Sequence, residues 1–193
     1  YLKSRGLSFV DKKIEPVKLQ IKTFTSLAVA IRHHDNCTKY RLLEGRLRYL
    51  TQGTYKRPLK ISLNENSNTF YMVEGELEGY SINELGYDIN LSALHNTNKI
   101  GSLKGYEEYD KFVFLIDKNT KDKSEKGLIN KIRNDLGEEK EVVVKSKLDD
   151  DKLDYNDLLI KDKNKFKKVL DKTLGLWYNM FINKNKKGEW YNE

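Results

Sequence analysis

The chain has 193 residues and a formal net charge of +7, and 34% of its residues are charged. This length allows one compact domain or two small lobes, and the single cysteine, Cys37, excludes an internal disulfide and a cysteine-based zinc finger. No apolar run approaches the roughly 20 residues that cross a membrane, and no signal-peptide pattern is present. We therefore expect no membrane partner and a cytoplasmic location. The basic excess is compatible with a polyanionic partner.

The first 66 residues predict small antiparallel strands joined by hairpins. Turn-forming residues separate short apolar stretches, which lie at 18–24, 27–31, 40–43 and 46–50. The polar run at 64–68 is the best boundary, so we expect an N-terminal basic lobe over 1–66.

After residue 68 the pattern changes to alternating strands and helices. The predicted strands lie at 69–73, 88–91, 111–116 and 141–145. The predicted helices lie at 77–85, 102–109, 124–136 and 157–182, the last of them amphipathic. This alternation predicts an α/β fold in which helices flank a parallel sheet. We place that domain at 67–162 and a C-terminal helix and tail at 163–193.

Two acidic residues directly follow the two clearest strands. Glu74 comes after the strand at 69–73, and Asp117 comes after the strand at 111–116. In open α/β sheets the reactive groups lie just beyond the carboxyl ends of the strands. On neighbouring strands the two carboxylates would build a hard-cation site suited to phosphate chemistry. The plainer alternatives are a solvated strand-end acid for Glu74 and a helix N-cap for Asp117.

The order of these motifs resembles a Toprim domain, the metal-binding catalytic fold of bacterial-type primases, topoisomerases and some nucleases. The first Toprim motif is a strand followed by Glu-Gly and an acidic residue, which matches the run from Glu74 to Glu78. Glu78 stands where primases have Asp. The second motif, a strand followed by Asp-x-Asp, matches the run from Asp117 to Asn119. A later element of phage and plasmid primases is similar to the run that contains Asp154, Asn156 and Asp157.

The resemblance extends to the N-terminal lobe of DnaG-like primase cores. It implies a Toprim-like Rossmannoid parallel sheet flanked by helices, preceded by a small mixed α+β lobe. The implied activity is metal-dependent synthesis of short RNA primers from ribonucleotides on single-stranded DNA. The implied setting is the replication of a phage, plasmid or similar element, and the implied partner is a fused or associated helicase. The implied ligands of Mg²⁺ or Mn²⁺ are Glu74, Asp117, Asn119 and Asp122, and the implied phosphate-binding residues are Arg32, Arg41, Lys56 and Arg57.

Asn119 departs from the family pattern, because an Asp usually stands there. An amide oxygen coordinates a divalent cation more weakly than a carboxylate does. Either Asp122 or Glu125 supplies the missing charge, or the site is weakened and the fold serves for binding. The alternatives to a primase are therefore a Toprim nuclease or topoisomerase-like strand cutter and a non-catalytic DNA-binding module.

A second group of chemistry-bearing residues lies between the predicted strands of the lobe. His33, His34, Asp35 and Cys37 are close in sequence, but their spacing matches no tetrahedral zinc pattern. We expect an ordinary exposed hairpin at this point.

Overall fold

The computed structural model of the protein describes residues 1–7, 14–21, 24–33, 37–44, 47–94, 100–146 and 155–175. Within these ranges the chain forms nine strands, four helices and a short 3₁₀ turn at Lys3–Arg5. The predicted tail after residue 175 and the predicted site residue Asp154 lie outside the described residues. The structure is mixed α/β and contains two sheets.

The first sheet is antiparallel and has the strand order β1-β2-β3-β4. Its strands are β1 (Ile14–Ile21), β2 (Phe24–Arg32), β3 (Thr38–Leu42) and β4 (Tyr49–Gln52). The prediction of small antiparallel strands in this region is confirmed. The predicted stretch at 18–24 was wrongly bounded, because it divides between β1 and β2.

The register of this sheet assigns its side chains to two faces. Lys39 pairs with Ile31, and Arg41 pairs with both Val29 and Tyr49. Directly paired residues lie on the same face of a sheet. Val29 and Ile31 are buried in the core that reaches the second sheet. We call this face, which carries Val29, Ile31, Lys39, Arg41 and Tyr49, the inner face.

The second sheet is mostly parallel and has the order β5-β7-β6-β8-β9. Its strands are β5 (Leu59–Ser62), β6 (Thr69–Val73), β7 (Asn90–Ala93), β8 (Lys111–Ile116) and β9 (Glu141–Ser146). Four of them run parallel, and β5 runs antiparallel to β7. We call the edge where the four parallel strands end and β5 begins the carboxyl edge. Because β5 precedes residue 66, the predicted N-terminal lobe includes one strand of this second sheet.

Alternate residues of the central strands pack on opposite faces of the second sheet. Tyr71 and Val73 of β6 contact a core that includes the inner face of the first sheet. Phe70 and Met72 point into a second core, which lies on the other side. Hydrophobic burial on both faces explains why these strands read as nearly continuous apolar runs.

The helices cover both faces of this sheet. They are α1 (Glu76–Asn83), α2 (Lys118–Leu136), α3 (Tyr155–Lys161) and α4 (Lys163–Leu174). Side chains of α1, α3 and α4 belong to the core that contains Val73, whereas Leu128 and Ile132 of α2 belong to the core that contains Phe70. The predicted layer of helices on each face is confirmed. No described helix has the length and apolar character needed to cross a membrane.

Two predicted helices were wrong in extent and one does not exist. The helix predicted at 124–136 begins at Lys118, directly after β8. The helix predicted at 157–182 is divided at Asp162, whose side chain caps α4 by accepting a hydrogen bond from the Lys165 N–H at 2.9 Å. Residues 102–109 form turns rather than a helix. They are held by the buried rings of Tyr106 and Tyr109, which pack on Phe70.

Candidate functional site

Glu74 and Asp117 lie together at the carboxyl edge. They follow the adjacent parallel strands β6 and β8, in which Val73 pairs with Leu115. The Asp117 N–H donates to Glu74 Oε2 at 3.5 Å. The predicted proximity of the two acids is therefore confirmed, while their metal-binding role stays a prediction. Asp117 occupies the N-cap position of α2, but its side chain makes no capping hydrogen bond.

Glu78 stabilises the start of α1. Its Oε2 accepts a hydrogen bond from the Gly75 N–H at 3.2 Å, which is the side-chain-to-backbone half of a capping box. Glu78 is buried. The residue that the resemblance places in the first motif thus holds the backbone that directly follows Glu74.

An unexpected cluster joins the first sheet to the start of α1. Lys39 Nζ donates to both carboxylate oxygens of Glu76 at 2.9 Å, and His33 Nε2 lies 3.1 Å from Glu76 Oε1. The side chains of His33 and Glu76 are 1% and 4% exposed, and Cys37 is buried as well. The prediction of an exposed hairpin was therefore wrong for His33 and Cys37, while His34 and Asp35 lie outside the described residues.

The ionisation of Glu76 follows from this environment. Burial by itself raises the pKa of its carboxyl group, but the hydrogen bond with His33 and the charge and hydrogen bonds of Lys39 outweigh it. The pKa of Glu76 consequently lies below its usual value. Burial and the charge of Glu76 also raise the pKa of the Cys37 thiol, although Lys39 opposes this. The cluster therefore holds a carboxylate in the protein interior.

Lys56 and Arg57 precede β5 and so lie at the carboxyl edge. Since β5 is antiparallel to β7, its beginning lies beside the end of β7. Strand β7 is the neighbour of β6, so these cations are two strand positions, about 10 Å, from the strand that ends at Glu74. The segment before β5 packs closely against Gly101, which has a φ of 79° and no room for a Cβ atom, and the Lys56 carbonyl accepts from the Ser102 N–H at 2.6 Å.

The two predicted arginines of the first sheet lie on opposite faces. Arg41 is on the inner face, where its guanidinium lies 4.7 Å from the centroid of the Tyr49 ring. Arg32 pairs with Thr38 on the other face, and its Nε donates to Glu15 Oε1 at 3.1 Å. Side chains on opposite faces of one sheet serve separate surfaces, and the phosphate-binding role that the resemblance implies for each arginine stays a prediction.

Asn156 and Asp157 hold the N-terminal segment in place. The Asn156 side-chain nitrogen donates to the Arg5 carbonyl and to Ser81 Oγ, each at 2.8 Å. Asp157 lies 3.5 Å from the Arg5 guanidinium. Their described contacts thus tie α3 to the chain start and to α1, rather than to Glu74.

Tyr155, which sequence reasoning did not select, is the first residue of α3. Its side chain is fully buried. Burial chiefly raises the pKa of its phenol; a hydrogen bond with Thr173 opposes this, and the negative charges of Glu78 and Asp117 add to the rise. The start of α3 is therefore within electrostatic reach of the site.

The described residues contain no group of three or more His, Cys, Asp or Glu side chains arranged to hold a metal ion. The backbone of Asn119 and of Asp122 belongs to α2, but their side chains are outside the described set. What the described part assembles at the carboxyl edge is the pair Glu74 and Asp117, with Lys56 and Arg57 further along the same edge and Lys39 bound to Glu76. Such an edge can bind a divalent cation and neutralise phosphate charge.

The fold resembles those of primase fragments. Similar structures are the primase fragment of the bacteriophage T7 primase-helicase protein (TM-score 0.56, 14% identity, 89% of this chain and 67% of that one) and the zinc-binding and RNA polymerase domains of Aquifex aeolicus primase (0.53, 14%, 83% and 44%). A third is the DnaG primase catalytic domain bound to single-stranded DNA (0.53, 13%, 89% and 59%). No family model and no curated protein matches the sequence.

The chain spans between 44% and 67% of the lengths of these proteins. Identities of 13–14% are too low to transfer an activity, because one fold supports many functions. What the chain shares with these proteins is the fold of the backbone. The chain thus has a primase-like fold.

Proposed function

We propose that the chain is the catalytic core of a DnaG-like primase, with a Toprim domain as its second sheet and helices. The observation that carries this proposal is the meeting of Glu74 and Asp117 at the carboxyl edge, 3.5 Å apart between the Asp117 N–H nitrogen and Glu74 Oε2. In this proposal the core joins ribonucleotides into short primers on single-stranded DNA. Two of the similar structures, a fragment of a primase-helicase and a primase catalytic domain bound to single-stranded DNA, support single-stranded DNA as the template.

The acidic pair fits a magnesium or manganese ion better than a zinc ion. Mg²⁺ prefers carboxylate oxygens, keeps several waters and is commonly bound by only one or two carboxylates together with substrate phosphates. Glu74 and Asp117 would hold the ion, and the predicted further ligands are Asn119 and Asp122. A bound ion of this kind neutralises phosphate charge and lowers the pKa of a coordinated hydroxyl group.

The protein's own residues position the reactants in this proposal. Lys56 and Arg57 at the carboxyl edge attract the triphosphate, and Arg41 on the inner face attracts the template backbone. The helix α1 begins two residues after Glu74, so its N-terminal dipole favours negative charge at the same place. Tight placement of two reactants accelerates phosphoryl transfer more than any covalent participation of the protein.

The proposal is tested by primer synthesis on a single-stranded DNA template with ribonucleotides and Mg²⁺ or Mn²⁺. We expect short RNA products from the wild-type protein and none from Glu74→Ala. Metal-dependent cleavage of the template without synthesis would instead identify a Toprim nuclease or topoisomerase-like strand cutter. Template binding that persists in Glu74→Ala and Asp117→Ala, with no turnover in the wild type, would identify a non-catalytic DNA-binding module.

Arg32 and Arg41 lie on opposite faces of the first sheet, so a matched pair of variants can test which face binds nucleic acid. We expect Arg41→Gln to weaken single-stranded DNA binding and to reduce the salt dependence of log K by about 0.7, the value for one lost phosphate contact on a single strand. Arg32→Gln removes the same charge from the other face and should leave both quantities unchanged. Fluorescence anisotropy titrations at several salt concentrations measure this. Equal losses in the two variants would show a non-specific charge effect.

A further inference from the structure

The cluster of Lys39, Glu76 and His33 lies next to the acidic site, because only Gly75 separates Glu76 from Glu74 in the chain. Glu76 is the first residue of α1, and Glu74 precedes it by two positions. Lys39 comes from β3, and His33 directly follows β2, so both partners belong to the first sheet. The cluster therefore connects the two sheets at the carboxyl edge through charged and hydrogen-bonded groups.

Glu74 is held on its C-terminal side along the chain and, across the sheet, by the end of β8. On its C-terminal side, Glu78 accepts the Gly75 N–H at 3.2 Å, and Lys39 grips both oxygens of Glu76 at 2.9 Å. Across the sheet, the Glu74 carboxylate accepts the Asp117 N–H at 3.5 Å. A shift at Glu76 therefore moves the backbone that carries Glu74.

The cluster also reaches the surface that we assign to the template. Lys39 Nζ lies 4.8 Å from the centroid of the Tyr49 ring, and Arg41 lies over the same ring. One lysine thus contacts a partly exposed aromatic residue of β4 and the buried carboxylate of α1. Lys39 therefore connects the basic inner face to the segment that carries Glu74.

The chemistry of the cluster favours orientation over stability. Apolar contacts such as those of Ile31 and Val73 are non-directional, whereas a lysine between two carboxylate oxygens and an imidazole on one of them define a geometry. Removing two charges from water costs about as much as their attraction returns, so a buried ion pair contributes little net stability compared with apolar residues of the same size. Apolar residues in their place would lose the fixed hydrogen-bond geometry around Glu76.

We propose that Lys39, Glu76 and His33 are positioning residues. By holding the start of α1 against the first sheet, they fix the position of the acidic pair relative to the basic inner face. The inference rests on the proposed function for the role of the acidic pair. None of the three residues needs to touch the metal or the nucleic acid in order to act in this way.

The test replaces the ion pair with apolar residues in Lys39→Met/Glu76→Leu. We expect a melting temperature at or above that of the wild type. The dissociation constant for Mn²⁺, measured from the free-ion signal in electron paramagnetic resonance, should nevertheless rise at least tenfold, as for the loss of outer-shell support at a metal site. Lys39→Arg keeps the charge and the hydrogen bonds, so it should retain affinity close to that of the wild type.

An ion pair on α4, in which the carboxylate is buried and the lysine side chain is 53% exposed, provides the control. Asp171 of α4 is buried and lies 3.1 Å from Lys167 Nζ. Lys167→Met/Asp171→Leu makes the same chemical change on α4 and should leave Mn²⁺ affinity unchanged. An Mn²⁺ affinity of Lys39→Met/Glu76→Leu equal to that of the wild type would overturn the inference, because the cluster would then have only a structural role.

A second readout, which requires no metal, separates this inference from the proposed function. Nitroxide labels at Thr51→Cys on β4 and Lys126→Cys on α2, in a Cys37→Ser background, report the distance between the two sheets. Pulsed dipolar spectroscopy should give a broader distance distribution in Lys39→Met/Glu76→Leu than in the protein that retains the pair. If Mn²⁺ binding proves independent of Glu74, the proposed metal site fails, and this distribution alone decides the inference: an unchanged width overturns it.

Discussion

Asp117→Asn is expected to lower Mn²⁺ affinity about 100-fold or more and to reduce primer synthesis by at least the same factor. The substitution keeps the size of the side chain and removes one negative charge from the acidic pair. Two unit charges 4 Å apart interact by about 4 kcal/mol at an effective dielectric constant of about 20, and a divalent ion doubles this. A 100-fold loss corresponds to about 2.8 kcal/mol, which is only part of this attraction, because desolvation of the ion and the carboxylate offsets the rest. Titration with Mn²⁺ and a primer-synthesis assay measure the two effects.

Asp110→Asn is the matched control for this prediction. Asp110 precedes the same strand, β8, at its opposite end, about 20 Å away along the strand. Its carboxylate is exposed and accepts a hydrogen bond from Asn68. We expect this variant to bind Mn²⁺ and to synthesise primers like the wild type. If Asp117→Asn also retained wild-type affinity, Asp117 would not be a metal ligand and the proposed site would be wrong.

Phe70→Ala is expected to lower the free energy of unfolding by about 3–5 kcal/mol, the usual cost of removing a fully buried phenylalanine ring. Phe70 lies in β6, the central strand that leads to Glu74, and is 0% exposed. Its ring centroid lies 4.9 Å from that of Tyr106 and 4.6 Å from that of Tyr109, both in edge-to-face geometry. The deletion removes apolar burial and also the aromatic contacts that hold the turns at 102–109. Chemical denaturation measures the loss.

Leu63→Ala is the corresponding control, because Leu63 is 56% exposed. We expect it to change the free energy of unfolding by less than about 0.5 kcal/mol. The two variants differ in burial, so the comparison measures what the core beneath the second sheet contributes. A cost for Phe70→Ala below about 1 kcal/mol would show that the ring is not packed as described.

Strands were predictable from the sequence wherever burial was complete on both faces. The runs at 69–73 and 111–116 were assigned with the bounds that the structure has, because short apolar runs rich in aromatic and β-branched residues are typical of buried strands. The strand predicted at 88–91 lies at Asn90–Ala93 instead, since its polar residues Asn90 and Ser92 are buried and conceal the pattern. Buried polar groups of this kind are satisfied by tertiary contacts, such as those that Asn90 makes with the carbonyls of Ser67 and Thr69.

Helix boundaries were predictable only in part. The charged run that follows Asp117 lacks apolar spacing, so the helix was predicted only from residue 124, whereas the structure begins α2 at Lys118. Conversely, a short helix was predicted at 102–109, where the structure has turns. The positive φ angles of Gly101 and Gly105, 79° and 88°, are incompatible with a helix beginning there.

The sequence by itself determined the alternation of strands and helices and the placement of an acid at the end of each of two strands. Both follow from local chemistry: apolar periodicity specifies the strands, and chain order specifies what comes after them. Only the tertiary structure decided that Arg32 and Arg41 lie on opposite faces, that β5 joins the second sheet, and that Glu76 is bound by Lys39 and His33. These depend on strand register and on contacts between residues 37 to 43 positions apart. No local pattern encodes them, because burial of a charged group becomes favourable only when a distant partner is in place.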